Sequence, residues 1–224
     1  MKYLNQLLSE KAILFLLIPF LTGILFLMVG YGKGPSHLMV NSLNSPLADN
    51  FFKYLTNLGD GLIFAITILI LLFIKIRWAL YEFSAAIMTL VVVYLGKRVF
   101  FKGLPRPVTF FENSEALHFV AGVHLHEVNS FPSGHTITAF AVFMILTLIV
   151  KNHYLKFIFT SLAILIGYSR AYLSQHFLED VFSGALIGTA IALLSFSLVD
   201  KLSIFKTSWI DLNLIEIFSK KHEQ

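Results

Sequence analysis

The sequence predicts an all-α fold: a polytopic membrane protein with a bundle of six transmembrane helices and interfacial helices beside it. Three observations carry this. Of 224 residues, 57% are hydrophobic and 13% charged, and the mean hydropathy is +0.77. A soluble domain of this size cannot hide so much apolar surface, so part of its solvent is lipid. The apolar residues also come in long runs, and a helix needs roughly 20 of them to cross a hydrocarbon core of about 30 Å. Finally, charges gather in the short connections between runs.

The first run, about 12–30, is long for the apolar part of a signal peptide. Gly30-Tyr31-Gly32-Lys33 offers no small-x-small cleavage site, so the run reads as an uncleaved span. Leu43 to Leu55 carries Leu47, Phe51 and Leu55 on one helical face, with Asp49 and Lys53 elsewhere, which suits a helix lying on the membrane surface. Runs at about 57–75 and 78–96 are parted by Lys75-Ile76-Arg77, and runs at about 134–150 and 155–170 by Lys151 to Lys156. Each pair is a tight hairpin. A sixth run covers about 180–199. The tail from Ile204 to Phe218 is amphipathic, and its alternation from Ile210 to Ile217 leaves helix and strand both open. Residues 1–224 form a single integral-membrane domain with a core at about 57–200. The preceding 1–56 supplies the first span and the surface helix, and 201–224 a tail.

Both hairpins are basic, and the tails add Lys2, Lys11, Lys201, Lys206, Lys220 and Lys221. With six spans these four segments share one side, which the positive-inside rule makes cytoplasmic. Both termini are then cytoplasmic, and the opposite loops face the exterior or periplasm, as in a bacterial inner (plasma) membrane. The formal net charge of +4 answers anionic headgroups and is no nucleic-acid footprint. The absence of cysteine excludes disulfides and thiolate metal sites.

Two polar fragments interrupt the hydrocarbon. Pro132-Ser133-Gly134-His135 opens the fourth run. A helix start there leaves backbone N–H groups free, and Gly134 lets an anion approach them, which makes a phosphate seat with His135 beside it. The alternative is an N-capping Ser133 with an incidental interfacial histidine. In the second fragment, His176 and Asp180 are four apart, so on a helix the carboxylate accepts the imidazole Nδ1–H and leaves Nε2 free. Arg170, at the end of the fifth run, suits a bidentate grip on phosphate oxygens. The alternative is a His–Asp pair sealing a loop and an arginine reaching for headgroups. A third cluster comprises Lys97, Arg98, Lys102 and Arg106, the last held between Pro105 and Pro107. Six-span parity brings all three to the exterior face.

Taken together, these motifs resemble those of the membrane-bound type-2 phosphatidic acid phosphatase family, relatives of the vanadium haloperoxidases. The matches are Arg106-Pro107, Pro132 to His135, and Ser169-Arg170 followed by His176 and Asp180. The family's first motif has a lysine where this chain has Val99. Lys97 is the favoured replacement, with Arg98 and Lys102 as alternatives. The resemblance implies that His176 attacks phosphorus to give a phosphohistidine, with Asp180 orienting it. His135 would protonate the leaving group and then activate water. Lys97, Arg106, Ser133, Gly134 and Arg170 would hold the phosphate oxygens. No cofactor and no metal is implied.

The expected partners are a lipid phosphate substrate and membrane lipids. Candidate substrates are undecaprenyl diphosphate, phosphatidic acid, phosphatidylglycerol phosphate and a lipid A phosphate. Phosphotransfer to another hydroxyl is an enzymatic variant, and a lipid-phosphate binding or transport protein a non-enzymatic one. The loop with His118, His124, His126, Glu112, Glu115 and Glu127 reads as a solvated cap over the site, with metal ligation the weaker reading.

Overall fold

The computed structural model describes residues 2–112, 117–202 and 208–222. Among these it is helical throughout apart from turns and loops, the lone β feature being an isolated antiparallel bridge between Pro105 and Val128. Helix α1 (Lys2–Ser9) leads into a π-helical turn (Ile13–Leu17) and α2 (Ile18–Tyr31). Gly32, at φ +76°, ends that helix and starts α3 (Lys33–Asn41). Helix α4 (Pro46–Leu55) begins where the Ser45 hydroxyl accepts from Ala48 N, with proline in its first turn. It runs on through a 3₁₀ turn (Thr56–Gly59) towards α5 (Leu62–Leu72). Helix α6 (Ile76–Leu95) continues through a π-helical turn (Gly96–Phe100). After the single turn of α7 (Pro107–Phe110) come α8 (Gly134–Ile149), α9 (His153–Tyr172) and α10 (Leu178–Lys201). A 3₁₀ turn (Ser208–Asp211) and α11 (Leu214–His222) end the described chain.

The core is α8. Ile137, Ala139, Phe140, Ala141, Val142, Met144 and Ile145 are all fully buried, as expected of a helix apolar on every side. Helix α10 lies against it closely because Gly184 and Gly188, four apart, leave room. A Cβ at Gly188 would stand 2.5 Å from Ile137 O. Small residues at that spacing let membrane helices touch backbone to backbone.

Among the described residues, three continuous helical stretches are long and apolar enough to cross a membrane: Ile13–Tyr31, Ile76–Phe100 and Leu178–Lys201. A fourth crossing arises if the pair Pro46–Gly59 and Leu62–Leu72, bent by 63°, counts as one. The expected run at about 57–75 is therefore no straight helix. Gly59-Asp60-Gly61 breaks it, and the 11 residues of α5 cover only about 16 Å. Helix α8 is apolar but has 16 residues, while α9 has 20 but carries Lys156 and Arg170. The tail is resolved as helix over Leu214–His222, with Ile210 fully buried. Residues 203–207, which include Ile204 and Lys206, lie outside the described residues.

The two ends of the bundle differ in chemistry. At one, the four basic segments meet. Lys156 pairs with Glu10 at 2.5 Å, Arg77 and Lys75 both hold Asp211 at 2.8 Å, and Asp200 takes hydrogen bonds from Tyr3 and, at 2.8 Å, from Tyr81. At the other end lie the termini of α6 and α9 and the starts of α8 and α10, which carry the polar motifs.

Candidate active site

His176 sits in the turn between α9 and α10. Its backbone N–H donates to Arg170 O at 3.0 Å, so the end of α9 fixes its position. Its Nδ1 is 3.2 Å from Asp180 Oδ2, both side chains being almost fully buried. Asp180 is the third residue of α10 and also accepts from Phe177 N at 2.9 Å, closing the helix start. The same Oδ2 accepts from Ser130 Oγ at 2.5 Å, while Oδ1 is buried without a partner. With Nδ1 held on the carboxylate, the imidazole presents Nε2.

Ser133 caps α8, its hydroxyl accepting from Thr136 N at 3.4 Å and Thr136 Oγ1 at 2.8 Å. Its own backbone N–H donates to Asp180 O at 3.3 Å, tying the starts of α8 and α10 together. Gly134 and His135 follow at the first turn and line a cavity of about 410 Å³ with Lys97. Lys97 reaches this place because the π-helical turn redirects the end of α6. Gly96 packs so tightly on Pro132 that a Cβ there would fall 2.7 Å from Pro132 Cδ. Of the three bases weighed for the first motif, Lys97 lines the cavity, while Arg98 and Lys102 are exposed.

Arg106 is buried on its Pro105–Val128 bridge, donating from Nε to Val128 O and from Nη1 to Gln175 O, both at 3.0 Å. Arg170 donates from Nη1 to Thr56 Oγ1 at 2.6 Å, and its Nε is buried without a partner. Burial pushes His176 well below the ordinary imidazole range, helped by Arg106, Lys97, Arg170 and His135. Burial also lowers Arg106, against the pull of Asp180. The six charged and imidazole groups of the expected site thus share one electrostatic neighbourhood, in which three cations face one carboxylate. Such a surplus favours a bound anion, and a neutral imidazole there is a nucleophile.

Sequence reasoning missed Ser130, Thr56 and Gln175, which hold Asp180, Arg170 and Arg106 respectively. None belongs to a recognisable pattern; each arrives from a distant stretch of chain. The histidine-rich loop is spread out. His118 Nε2 lies 2.9 Å from Asp49 Oδ2, and the rings of His124 and His126 meet edge to face at 4.8 Å. Burial and then Arg106 lower His126. Among the described residues no three His, Asp or Glu side chains converge as a metal site; Glu115 lies outside them.

The sequence profile of the PAP2 superfamily matches residues 77–204. A lipid A 4'-phosphatase of Porphyromonas gingivalis is 25% identical over 158 residues, covering 69% of this chain and 67% of that protein. The bacitracin transport permease protein BcrC of Bacillus licheniformis is 39% identical over 79 residues, 35% of this chain and 38% of that one. The crystal structure of Aquifex aeolicus LpxE superposes with a TM-score of 0.65 at 29% identity, covering 74% of this chain and 94% of that chain. A transmembrane PAP2-type phosphatidylglycerolphosphate phosphatase from Bacillus subtilis superposes at 0.52 with 22% identity, covering 84% and 98%; this likeness is one of fold.

Proposed function

We propose that this chain, which belongs to the PAP2 superfamily and is an integral-membrane phosphoric ester hydrolase, removes phosphate from a lipid by way of a phosphohistidine on His176. The observation that carries the reading is the buried His176–Asp180 couple beside three cations, one of which, Arg170, has a guanidinium N–H with no protein partner. In the first step Nε2 of His176 forms a bond to phosphorus as the bond from phosphorus to the lipid oxygen breaks. His135 gives its proton to that departing oxygen, and Asp180 stabilises the imidazole through Nδ1. In the second step His135 takes a proton from water, the resulting hydroxide attacks phosphorus, and His176 leaves. Lys97, Arg106, Arg170, Ser133 and the Gly134 amide hold the oxygens as charge builds on them. Ser133 contributes mainly by capping the helix that presents the Gly134 amide.

The bundle crosses the membrane six times, with the site at the exterior face and both termini in the cytoplasm. Meeting of the four basic segments at the opposite end supports this arrangement. Similarity to the lipid A 4'-phosphatase supports a lipid phosphate as substrate, as against a soluble one. Detergent-purified protein should release inorganic phosphate from short-chain lipid phosphates with EDTA present, and His176→Ala should abolish that release. Release unchanged by His176→Ala would refute the mechanism, and no release from any lipid phosphate would refute the activity.

A further inference from the structure

The cavity that holds Lys97, Gly134 and His135 at its mouth continues between α5, α6 and α8, walled by apolar side chains such as Phe64, Ala86 and Leu90. Two threonines, Thr89 of α6 and Thr138 of α8, also line it, 5% and 6% exposed. Buried helical hydroxyls ordinarily turn back onto a carbonyl of their own helix. Thr67 does so on Ile63 O, Thr147 on Phe143 O, Ser169 on Ile166 O and Ser195 on Ile191 O. Among the described residues, every buried serine and threonine has a hydrogen-bond partner except Thr89 and Thr138. Both residues line this cavity, and Thr89 Oγ1 is an orphaned buried atom.

Their depth is matched. Gly134 packs against Val93, since a Cβ on Gly134 would meet Val93 Cγ1 at 3.4 Å, so those residues share a level. Thr138 lies four residues after Gly134 and Thr89 four before Val93. The two helices run in opposite directions, so each step is about 6 Å away from the phosphate seat. Two free hydroxyls therefore sit in one layer, one helical turn beneath the place where phosphate binds. Buried polar groups are left unpaired at a cost, and a ligand that pairs them is selected over one that cannot.

We propose that this layer reads the linkage group of an acylated lipid: Thr89 and Thr138 donate hydrogen bonds to the ester or amide carbonyl that follows the phosphorylated carbon by a few bonds. The inference rests on the phosphatase reading and narrows its substrate to acyl-bearing lipid phosphates. A polyprenyl phosphate or diphosphate has no carbonyl to offer at this depth. Ala86, which lines the cavity three residues before Thr89 on α6, is apolar, as the acyl chain then requires.

The test compares diacyl phosphatidic acid with its dialkyl ether analogue, which has the same headgroup and chains but no carbonyls. The expected result is a kcat/KM about tenfold higher for the diacyl lipid. The ratio should collapse towards one in Thr89→Val/Thr138→Val and return in Thr89→Ser/Thr138→Ser. Equal turnover of the two lipids by the natural protein would overturn the proposal without any variant. So would a preference that survives the valine pair, or hydrolysis confined to polyprenyl diphosphate, which leaves the phosphatase reading standing. Failure to hydrolyse any of these lipids would instead remove the phosphatase reading and the proposal with it.

Discussion

Asp180 concentrates more of the site in one side chain than any other residue. Its Oδ2 meets the imidazole, the Phe177 amide and the Ser130 hydroxyl. Asp180→Asn keeps the shape but replaces an acceptor-only carboxylate by an amide, so His176 loses the partner that selects its tautomer and stabilises its cation. We expect kcat to fall by about 10⁴-fold while KM changes little, because in the proposed mechanism Arg170, Arg106 and Lys97 still hold the phosphate. Steady-state kinetics on a short-chain lipid phosphate measures both. The four-residue spacing made His176 and Asp180 legible in the sequence because the pairing is local, although His176 stands in the turn before α10 and not on a shared helical face. Ser130 was not, because its partner is 50 residues away and serine carries no periodic signature. An acid-side titration belongs to His37, buried between Phe111 and Phe177 with only Ser174 Oγ at 3.3 Å from Nε2. Burial lowers it from 6.5 to about 4. Below pH 6.5 the unfolded chain takes up this proton while the folded one does not, so stability falls as pH drops to about 4 and levels off beyond. The full effect for His37 is about 3 kcal/mol, and His176 acts in the same direction. Thermal unfolding in detergent should show this acid-side loss, and His37→Phe should make it shallower. An unchanged slope in that variant would remove His37 from the account.

At the scale of elements, the site depends on how closely α10 approaches α8, because α10 carries Asp180 and α8 carries Ser133, Gly134 and His135. Gly188 permits that approach. An added Cβ meets Ile137 O at 2.5 Å, Phe140 Cβ at 2.7 Å and Ala141 N at 3.1 Å. Two of these are backbone atoms of the most buried helix, so α10 rather than its neighbour must shift. Gly188→Ala should cost about 1–3 kcal/mol and most of the activity, read as melting temperature and phosphate release. Gly23→Ala is the control, since nothing lies within 4 Å of its Cβ position, and it should leave both unchanged. The helices themselves were legible from hydropathy, because a buried or lipid-facing helix is apolar in either case. What hydropathy could not show is the bend at Gly59-Asp60-Gly61 or the π-helical turn at Gly96–Phe100. Both fall at polar, glycine-containing ends of apolar runs, where composition marks that a run stops but not how the backbone turns, and both serve the site. The first leaves Thr56 beside Arg170, and the second delivers Lys97 to the cavity mouth.

For the whole molecule, the question is which segments share a side. An even number of crossings puts the two termini together, and the ion pairs support this directly. Lys156, in the first turn of α9, holds Glu10 of the N-terminal segment, and Arg77, in the first turn of α6, holds both Asp200 at the end of α10 and Asp211 beyond it. Four stretches far apart in sequence are thus fastened at one end of the bundle. The polar motifs occupy the other end, a separation that the sequence conveyed through the basic charge of the hairpins and tails. The chain contains no cysteine, so a single introduced thiol reports on its own position. Lys102→Cys lies on the exposed loop at the site end and Lys151→Cys on the exposed connection at the opposite end. In intact cells a membrane-impermeant maleimide should label Lys102→Cys and reach Lys151→Cys only after permeabilisation. The reverse pattern would invert the orientation and put the site in the cytoplasm. Labelling of both from outside would mean that the connection between α8 and α9 does not sit across the bilayer from the site, and six-span parity would fail.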